Sequence, residues 1–238
     1  FANYITQSTV PASYFESAVI ITNVVFWSAG LYSGVIKRLT ETREPSVLVT
    51  ALKLVATVGM LAVVLDLVWA YPLLYYIRPE YTASLVIAFF LAISNYLRMV
   101  FMVYYEAFTV LDEGLGKTLK SLMGRMLASN IAYAAMPLAI GFLVISKAKV
   151  YGPIALGLIM ALVMLTDSLL MVRNAQSLAH KNFKVRFPWD TYLRSALVAL
   201  TTLLLTFPFS ITGNILRALA VGVLALALYV FLSYFINP

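Results

Sequence analysis

The 238-residue chain is 62% hydrophobic and only 11% charged, and its formal net charge is +7. A composition this apolar indicates a protein that lies in a lipid bilayer, and it excludes an ordinary water-soluble domain. The chain has no cysteine, which excludes disulfides, thiolate metal sites and cysteine nucleophiles.

Seven apolar stretches follow one another along the chain, each close to or above the roughly 20 residues that a membrane-spanning α-helix needs. Their predicted ranges are 11–36, 46–77, 83–111, 122–145, 152–172, 192–210 and 215–236. None shows the alternating polarity of a transmembrane β-strand, and helices satisfy all their backbone groups within the segment. The sequence therefore predicts an all-α, polytopic membrane helical bundle of about seven transmembrane helices.

Basic residues are distributed unevenly between the two ends of these helices. Eleven lie in the connections after the first, third and fifth helices, namely Lys37, Arg38, Arg43, Lys117, Lys120, Arg125, Arg173, Lys181, Lys184, Arg186 and Arg194. Four lie in the other connections, namely Arg78, Lys147, Lys149 and Arg217. The positive-inside rule predicts a multi-pass protein of the cell membrane with its amino terminus outside and its carboxyl terminus cytoplasmic. Anionic lipid headgroups account for the net positive charge, so no nucleic-acid partner is expected.

The longest hydrophilic stretch divides the chain into three predicted parts. Residues 1–172 are expected to form a bundle of five helices, residues 173–191 a cytoplasmic linker, and residues 192–238 an additional helix pair. The first residue is Phe1 instead of methionine, and the chain is expected to be a fragment or a processed protein.

Arg98 is the most informative charge inside a predicted helix. It lies near the middle of the third helix, where an ionisable group costs about 2.5–3.5 kcal/mol and normally faces a partner or a watery cavity. Asn95, Met102, Tyr105 and Glu106 share its helical face by three- and four-residue spacing, and this stripe is expected to point into the bundle. A functional role and a structural interhelical salt bridge are both open for Arg98.

Further charges lie within the second and fifth helices. Asp66 is similarly deep in the second helix, and its carboxylate needs a donor. Lys53 and Asp167 each lie about two turns from the inner end of a helix, which lets them snorkel in part. A structural role is favoured for Lys53, Asp167 and Glu106.

The fourth predicted helix has a polar, bendable face. Pro137 removes a backbone hydrogen bond and permits a kink, and Asn130 and Tyr133 precede it by two turns and one turn. These residues are candidates for a substrate cavity and its hinge.

Catalytic motifs are missing from the sequence. It has no nucleophile elbow, phosphate-binding glycine loop, metal-binding helix pair or workable pair of carboxylates, and its single histidine, His180, lies in a hydrophilic region. We expect no enzyme activity, no metal and no cofactor. Transport or scaffolding is the expected class of function.

The order of four segments resembles a known family. They are YPLLYYIRPEYTAS (71–84), FTVLDEGLGKTLKSLMGRMLASNIAYAAMPLAIGF (108–142), KVYGPIALGLIMALVMLTDSLLM (149–171) and FPWDTYLRSALVAL (187–200). In this order they are similar to the multidrug, oligosaccharidyl-lipid and polysaccharide (MOP) flippase superfamily, in its polysaccharide-biosynthesis or O-antigen flippase-like branch. The resemblance lies in the order of these segments and in the topology.

The resemblance implies the carboxyl-terminal half of a fourteen-helix transporter with two lobes. The seven predicted helices would match the eighth to the fourteenth helix, and a missing amino-terminal lobe or a partner membrane subunit would complete the central cavity. Such proteins flip a polyisoprenoid-linked sugar between leaflets by alternating access. The resemblance makes Arg98 the first candidate for binding its phosphate and Lys53 the second, while Asp66 would pair with one of them or bind a coupling cation.

Two alternatives remain open from the sequence. A cation-coupled multidrug exporter of the same superfamily predicts that Asp66 or Glu106 titrates during transport. A non-transporting structural membrane subunit of a larger complex predicts that Arg98 and Asp66 pair at a subunit interface.

Overall fold

The structure, a computed structural model, describes residues 10–27, 33–111, 116–127 and 148–236. Every regular element within these ranges is a helix, which confirms the predicted all-α polytopic bundle. The helices in chain order are α1 (Val10–Trp27), α2 (Ser33–Thr42), α3 (Pro45–Ile77), α4 (Leu85–Leu111), α5 (117–127), α6 (Ala148–Phe183), α7 (Trp189–Ser210) and α8 (Ile215–Ile236). Five of them, α3, α4, α6, α7 and α8, are long and apolar enough to cross a membrane, so the chain is a multi-pass membrane protein.

Most predicted helix bounds agree with the structure to within a few residues. Helix α8 has the predicted bounds, and α3 begins one residue earlier than predicted. A 3₁₀ turn, Pro79–Ser84, precedes α4. The first predicted helix, 11–36, corresponds to α1 and the short polar helix α2, with residues 28–32 outside the described ranges. Only residues 122–127 of the fourth predicted helix are described.

Helix α6 is longer than its apolar stretch indicated. It continues to Phe183, so the connection to α7 is only residues 184–188 instead of the predicted linker 173–191. Residues 173–183 contain no proline or glycine and include several good helix formers, which explains the continuation. The helix ends at Phe183, and the next residue, Lys184, has a left-handed φ of 57° that terminates it.

The largest apolar core joins α3, α4 and α6, with α4 against α6 as the most extensive helix–helix contact. Tyr104 and Phe108 of α4 are among its largest fully buried side chains. A second core cluster attaches the terminal helices to α3, with Val64 and Val68 packed against residues of α7 and α8 that include Tyr229. The predicted terminal helix pair therefore packs directly on the membrane-spanning helix α3.

A π-helical turn, Val55–Gly59, interrupts α3. The Tyr229 hydroxyl of α8 donates a hydrogen bond to the Thr57 carbonyl within this turn, at 2.6 Å. The ring of Tyr96 from α4 packs on Gly59, where an added Cβ would lie 2.9 Å from Tyr96 Cε2. Neighbouring helices thus contact the π-helical turn from two sides. A turn of this kind is a short insertion that interrupts the hydrogen-bond pattern of an α-helix.

Candidate functional site

Arg98 is the central residue of α4, thirteen positions from both Leu85 and Leu111. At 1.5 Å per residue, it lies about 20 Å along the helix from either end. Its side chain is half-buried, and its Nε atom is buried without a hydrogen-bond partner among the described residues. The guanidinium therefore keeps unused donor capacity at membrane depth.

The charged neighbour of Arg98 is Asp167 of α6. The two side chains attract each other electrostatically, yet they form no direct salt bridge. Asp167 is itself half-buried. The sequence left an interhelical salt bridge open as a role for Arg98. The structure shows only an electrostatic attraction to Asp167, without direct contact.

Two polar residues beside Arg98 have structural partners. Asn95 is buried, and its Nδ2 donates to the Thr22 carbonyl of α1 at 2.9 Å and lies 3.4 Å from the Thr22 hydroxyl. Ser94 Oγ lies 2.8 Å from Ser168 Oγ of α6. Asn95, a candidate for the substrate cavity, therefore joins α4 to α1, and Ser94 joins α4 to α6.

Of the predicted polar stripe of α4, only Asn95 is fully buried. Arg98, Met102, Tyr105 and Glu106 are partly buried, and Met102 and Tyr105 pack against the largest core. Glu106 nonetheless has interaction partners of its own. Arg98 thus lies at the centre of a partly buried face of α4.

Asp66 is buried in α3, with 5% of its surface exposed. Its Oδ2 atom has no hydrogen-bond partner in the part of the chain that the structure describes. The predicted pairing with Lys53 or Arg98 is wrong for these residues, since neither forms a salt bridge with Asp66. Lys53 lies thirteen residues away in the same helix, about 20 Å along its axis.

Lys53 is exposed near the start of α3 and does not reach the centre of the bundle. It lines a cavity of about 420 Å³ together with Lys184 and Arg186 from the α6–α7 connection. The structure therefore separates the two candidate cations, with Arg98 at the middle of a spanning helix and Lys53 near an end. The candidates Asn130, Tyr133 and Pro137 lie outside the described residues.

Three tyrosines that the sequence did not indicate as interior residues are buried in the structure. Tyr96 and Tyr104 of α4 and Tyr192 of α7 are buried, and their hydroxyls make no hydrogen bond of normal geometry within the described ranges. The rings of Tyr96 and Tyr192 are 6.3 Å apart. Trp189, three residues before Tyr192, is exposed.

The described residues contain no group of three or more histidine, aspartate or glutamate side chains placed to hold a metal ion. The arrangement at Arg98 is suited to binding an anion by charge and hydrogen bonds, because a guanidinium presents several donors in one plane. The fold and this site define a multi-pass helical membrane protein with an incompletely neutralised cation at its centre.

Comparison of the chain with models of known protein families, with curated proteins and with solved structures finds no match.

Proposed function

We propose that the chain is one lobe of a membrane transporter that flips a polyisoprenoid-linked oligosaccharide or polysaccharide precursor across the cell membrane. The observation that carries the proposal is the partly buried side chain of Arg98 at the centre of α4, whose Nε has no hydrogen-bond partner among the described residues. A charge at this depth is stable only beside a partner or a water-filled cavity. Asp167 offers one partial partner, and the unpartnered Nε of Arg98 leaves donor capacity for a second, anionic one.

The substrate class is the one that the resemblance to polysaccharide flippases implies, and the chemistry of Arg98 is compatible with it. Guanidinium binds phosphate oxygens by charge-assisted, often bidentate hydrogen bonds. A polyisoprenoid-linked sugar presents a phosphate or pyrophosphate between a polar sugar and an apolar chain, so the phosphate would bind Arg98 while the chain stays in lipid. Tyr105, partly buried on the same face of α4, would offer its hydroxyl to the sugar.

Transport by alternating access needs a second lobe opposite this face. Transporters of this kind rock two repeats around a site near the bilayer midplane. In this proposal, a further part of the protein or a partner membrane subunit covers Arg98, Met102 and Glu106. The amino terminus of this chain lies outside and the carboxyl terminus lies in the cytoplasm, in accordance with the distribution of basic residues.

The proposal is tested by lipid translocation in proteoliposomes that contain the native protein. The probe is a fluorescent polyprenyl-pyrophosphate-linked sugar, and its exposure in the outer leaflet is read by a quencher that does not cross the membrane. Arg98→Gln is expected to lower the initial rate about ten- to hundredfold, the value of a lost hydrogen bond to a charged group. Arg98→Lys is expected to lower it less, since the charge remains.

Arg78→Gln is the matched control, because Arg78 is an exposed arginine at a helix end that pairs with Glu80 at 3.0 Å. This variant is expected to keep the wild-type rate. Equal rates for wild type and Arg98→Gln, with both proteins folded, would contradict the proposal.

Asp66 supports a second candidate, a cation-coupled multidrug exporter. Its buried carboxylate with an unpartnered Oδ2 atom is the kind of intramembrane group that binds a coupling proton or cation. If the chain belongs to such an exporter, Asp66→Asn abolishes drug uptake driven by an ion gradient. Arg98→Gln then leaves lipid translocation unaffected. A structural subunit predicts instead that Arg98→Gln releases the chain from a larger complex.

A further inference from the structure

A basic cavity opens where α3 begins, α6 ends and α7 begins. Its walls include Lys53, Lys184 and Arg186, and its volume is about 420 Å³. All three side chains are exposed, and none forms a salt bridge with a described acidic residue. One carboxylate lies beside the cavity, because Ser46 in its wall donates a hydrogen bond to Glu44 Oε2 at 3.3 Å. The cavity therefore carries an excess of positive charge.

Lys184 occupies a backbone conformation that favours glycine. Its φ is 57°, and its amide donates to the His180 carbonyl at 3.1 Å, while the Val185 amide donates to the Ala179 carbonyl at 3.3 Å. Glycine is the usual residue in this helix-ending motif, and a residue with a Cβ is less stable there. Lysine differs from glycine by its charged side chain, and at position 184 this side chain lines the cavity.

A second cavity adjoins the first and shares Phe187 with it. Its volume is about 640 Å³, and its walls are mostly apolar, with Leu97 of α4 and Leu169 and Leu170 of α6, although Arg173 of α6 also lines it. These residues belong to membrane-spanning helices, so this cavity lies beside the hydrocarbon region. A charged cavity at the helix ends and an apolar one along the helices match the two parts of a phospholipid.

We propose that the two cavities together bind one anionic phospholipid of the adjacent leaflet. Its headgroup phosphate lies against Lys184 and Arg186, within reach of Lys53, and one acyl chain lies along Leu169 on the other side of Phe187. Basic pockets between membrane helices are established sites for anionic headgroups. The proposal requires only that the chain spans a membrane, and it is independent of the transported substrate.

The test is native mass spectrometry of the purified protein in detergent, with phosphatidylglycerol and phosphatidylcholine added in turn. We expect wild type to retain phosphatidylglycerol in preference to phosphatidylcholine. Lys184→Gly is expected to weaken phosphatidylglycerol retention about fivefold, the effect of removing one basic group near an anionic lipid. The same variant is expected to unfold at an equal or higher temperature in lipid-free detergent, because glycine relieves the left-handed backbone. A merely structural role for Lys184 would lower that temperature.

Lys181→Ala is the matched control, since Lys181 is exposed on the last turn of α6 and does not line the cavity. It is expected to retain phosphatidylglycerol like wild type, and Arg186→Gln is expected to behave like Lys184→Gly. Equal retention of the two lipids, or equal losses in Lys181→Ala and Lys184→Gly, would overturn the proposal. Displacement by an equal concentration of inorganic phosphate would also overturn it in favour of a free-anion site. Lys184-dependent retention of polyprenyl phosphate but not of phosphatidylglycerol would assign the cavities to the transported lipid instead.

Discussion

Ser94 of α4 and Ser168 of α6 face each other with their hydroxyl oxygens 2.8 Å apart. The Ser168 hydroxyl also donates to the Met164 carbonyl of its own helix at 2.8 Å. A hydroxyl has one hydrogen, so Ser94 is the donor between the helices. This bond lies one turn from Arg98 and beside Asp167, and it fixes the spacing of the two helices that carry the central charges.

Ser94→Ala is therefore expected to lower the free energy of unfolding by about 0.6–1.7 kcal/mol, the range of hydrogen bonds between membrane helices. Unfolding in mixed micelles of mild detergent and dodecyl sulfate measures the change, and a double-mutant cycle with Ser168→Ala isolates the coupling. Thr166→Ala serves as control, because its exposed hydroxyl bonds only to Leu162 of the same helix. Additive effects of Ser94→Ala and Ser168→Ala would refute the coupling.

Asp66→Leu is expected to raise the free energy of unfolding by about 1–3 kcal/mol, because it replaces a buried polar group that has an unsatisfied oxygen with an apolar side chain. Asp167→Leu is expected to act in the opposite direction, since Asp167 attracts Arg98. Thermal unfolding of both variants in the same detergent provides the comparison. A large loss of stability in Asp66→Leu would show that the carboxylate has a structural partner after all.

Gly222→Ala is expected to destabilise the contact between α8 and α3. An added Cβ would overlap the Trp69 indole, whose Nε1 donates to the Ala218 carbonyl at 3.1 Å. Overpacking of this kind lowers stability by about 1–3 kcal/mol. Gly124→Ala is the control, because nothing lies within 4 Å of its added Cβ, and it is expected to stabilise its helix by about 0.5–1 kcal/mol. Thermal unfolding measures both variants. A shift of the unfolding temperature in the same direction for both would disprove this account of Gly222.

The helical fold was predictable because apolar length alone identifies a membrane helix. The bounds of α8 followed from the apolar run between Ile215 and Ile236. The end of α6 did not, since polar residues that leave the membrane can still continue a helix, as residues 173–183 do. An apolar run ends where the chain leaves the bilayer, whereas a helix ends only where the backbone leaves the helical conformation.

The candidate site was predictable only in part. The depth of Arg98 and Asp66 followed from their positions in apolar runs. Their partners did not, because pairing depends on how neighbouring helices are rotated about their axes, and a single sequence carries no such information. Arg98 consequently lies within electrostatic range of Asp167 and forms no salt bridge with Asp66. The π turn at Val55–Gly59 and its bond from Tyr229 likewise depend on the contact with α8.

Binding of the phosphate of a transported lipid by Arg98 requires that this position is reachable from water, and thiol accessibility tests this requirement most directly. These 238 residues contain no cysteine, so Arg98→Cys introduces a single thiol that a membrane-impermeant methanethiosulfonate reagent detects. Leu226→Cys is the control, because Leu226 is exposed near the middle of α8, at comparable depth. The account predicts labelling of Arg98→Cys and none of Leu226→Cys in intact membranes. Failure of Arg98→Cys to react from either side of the membrane, with the folded protein present, would contradict it.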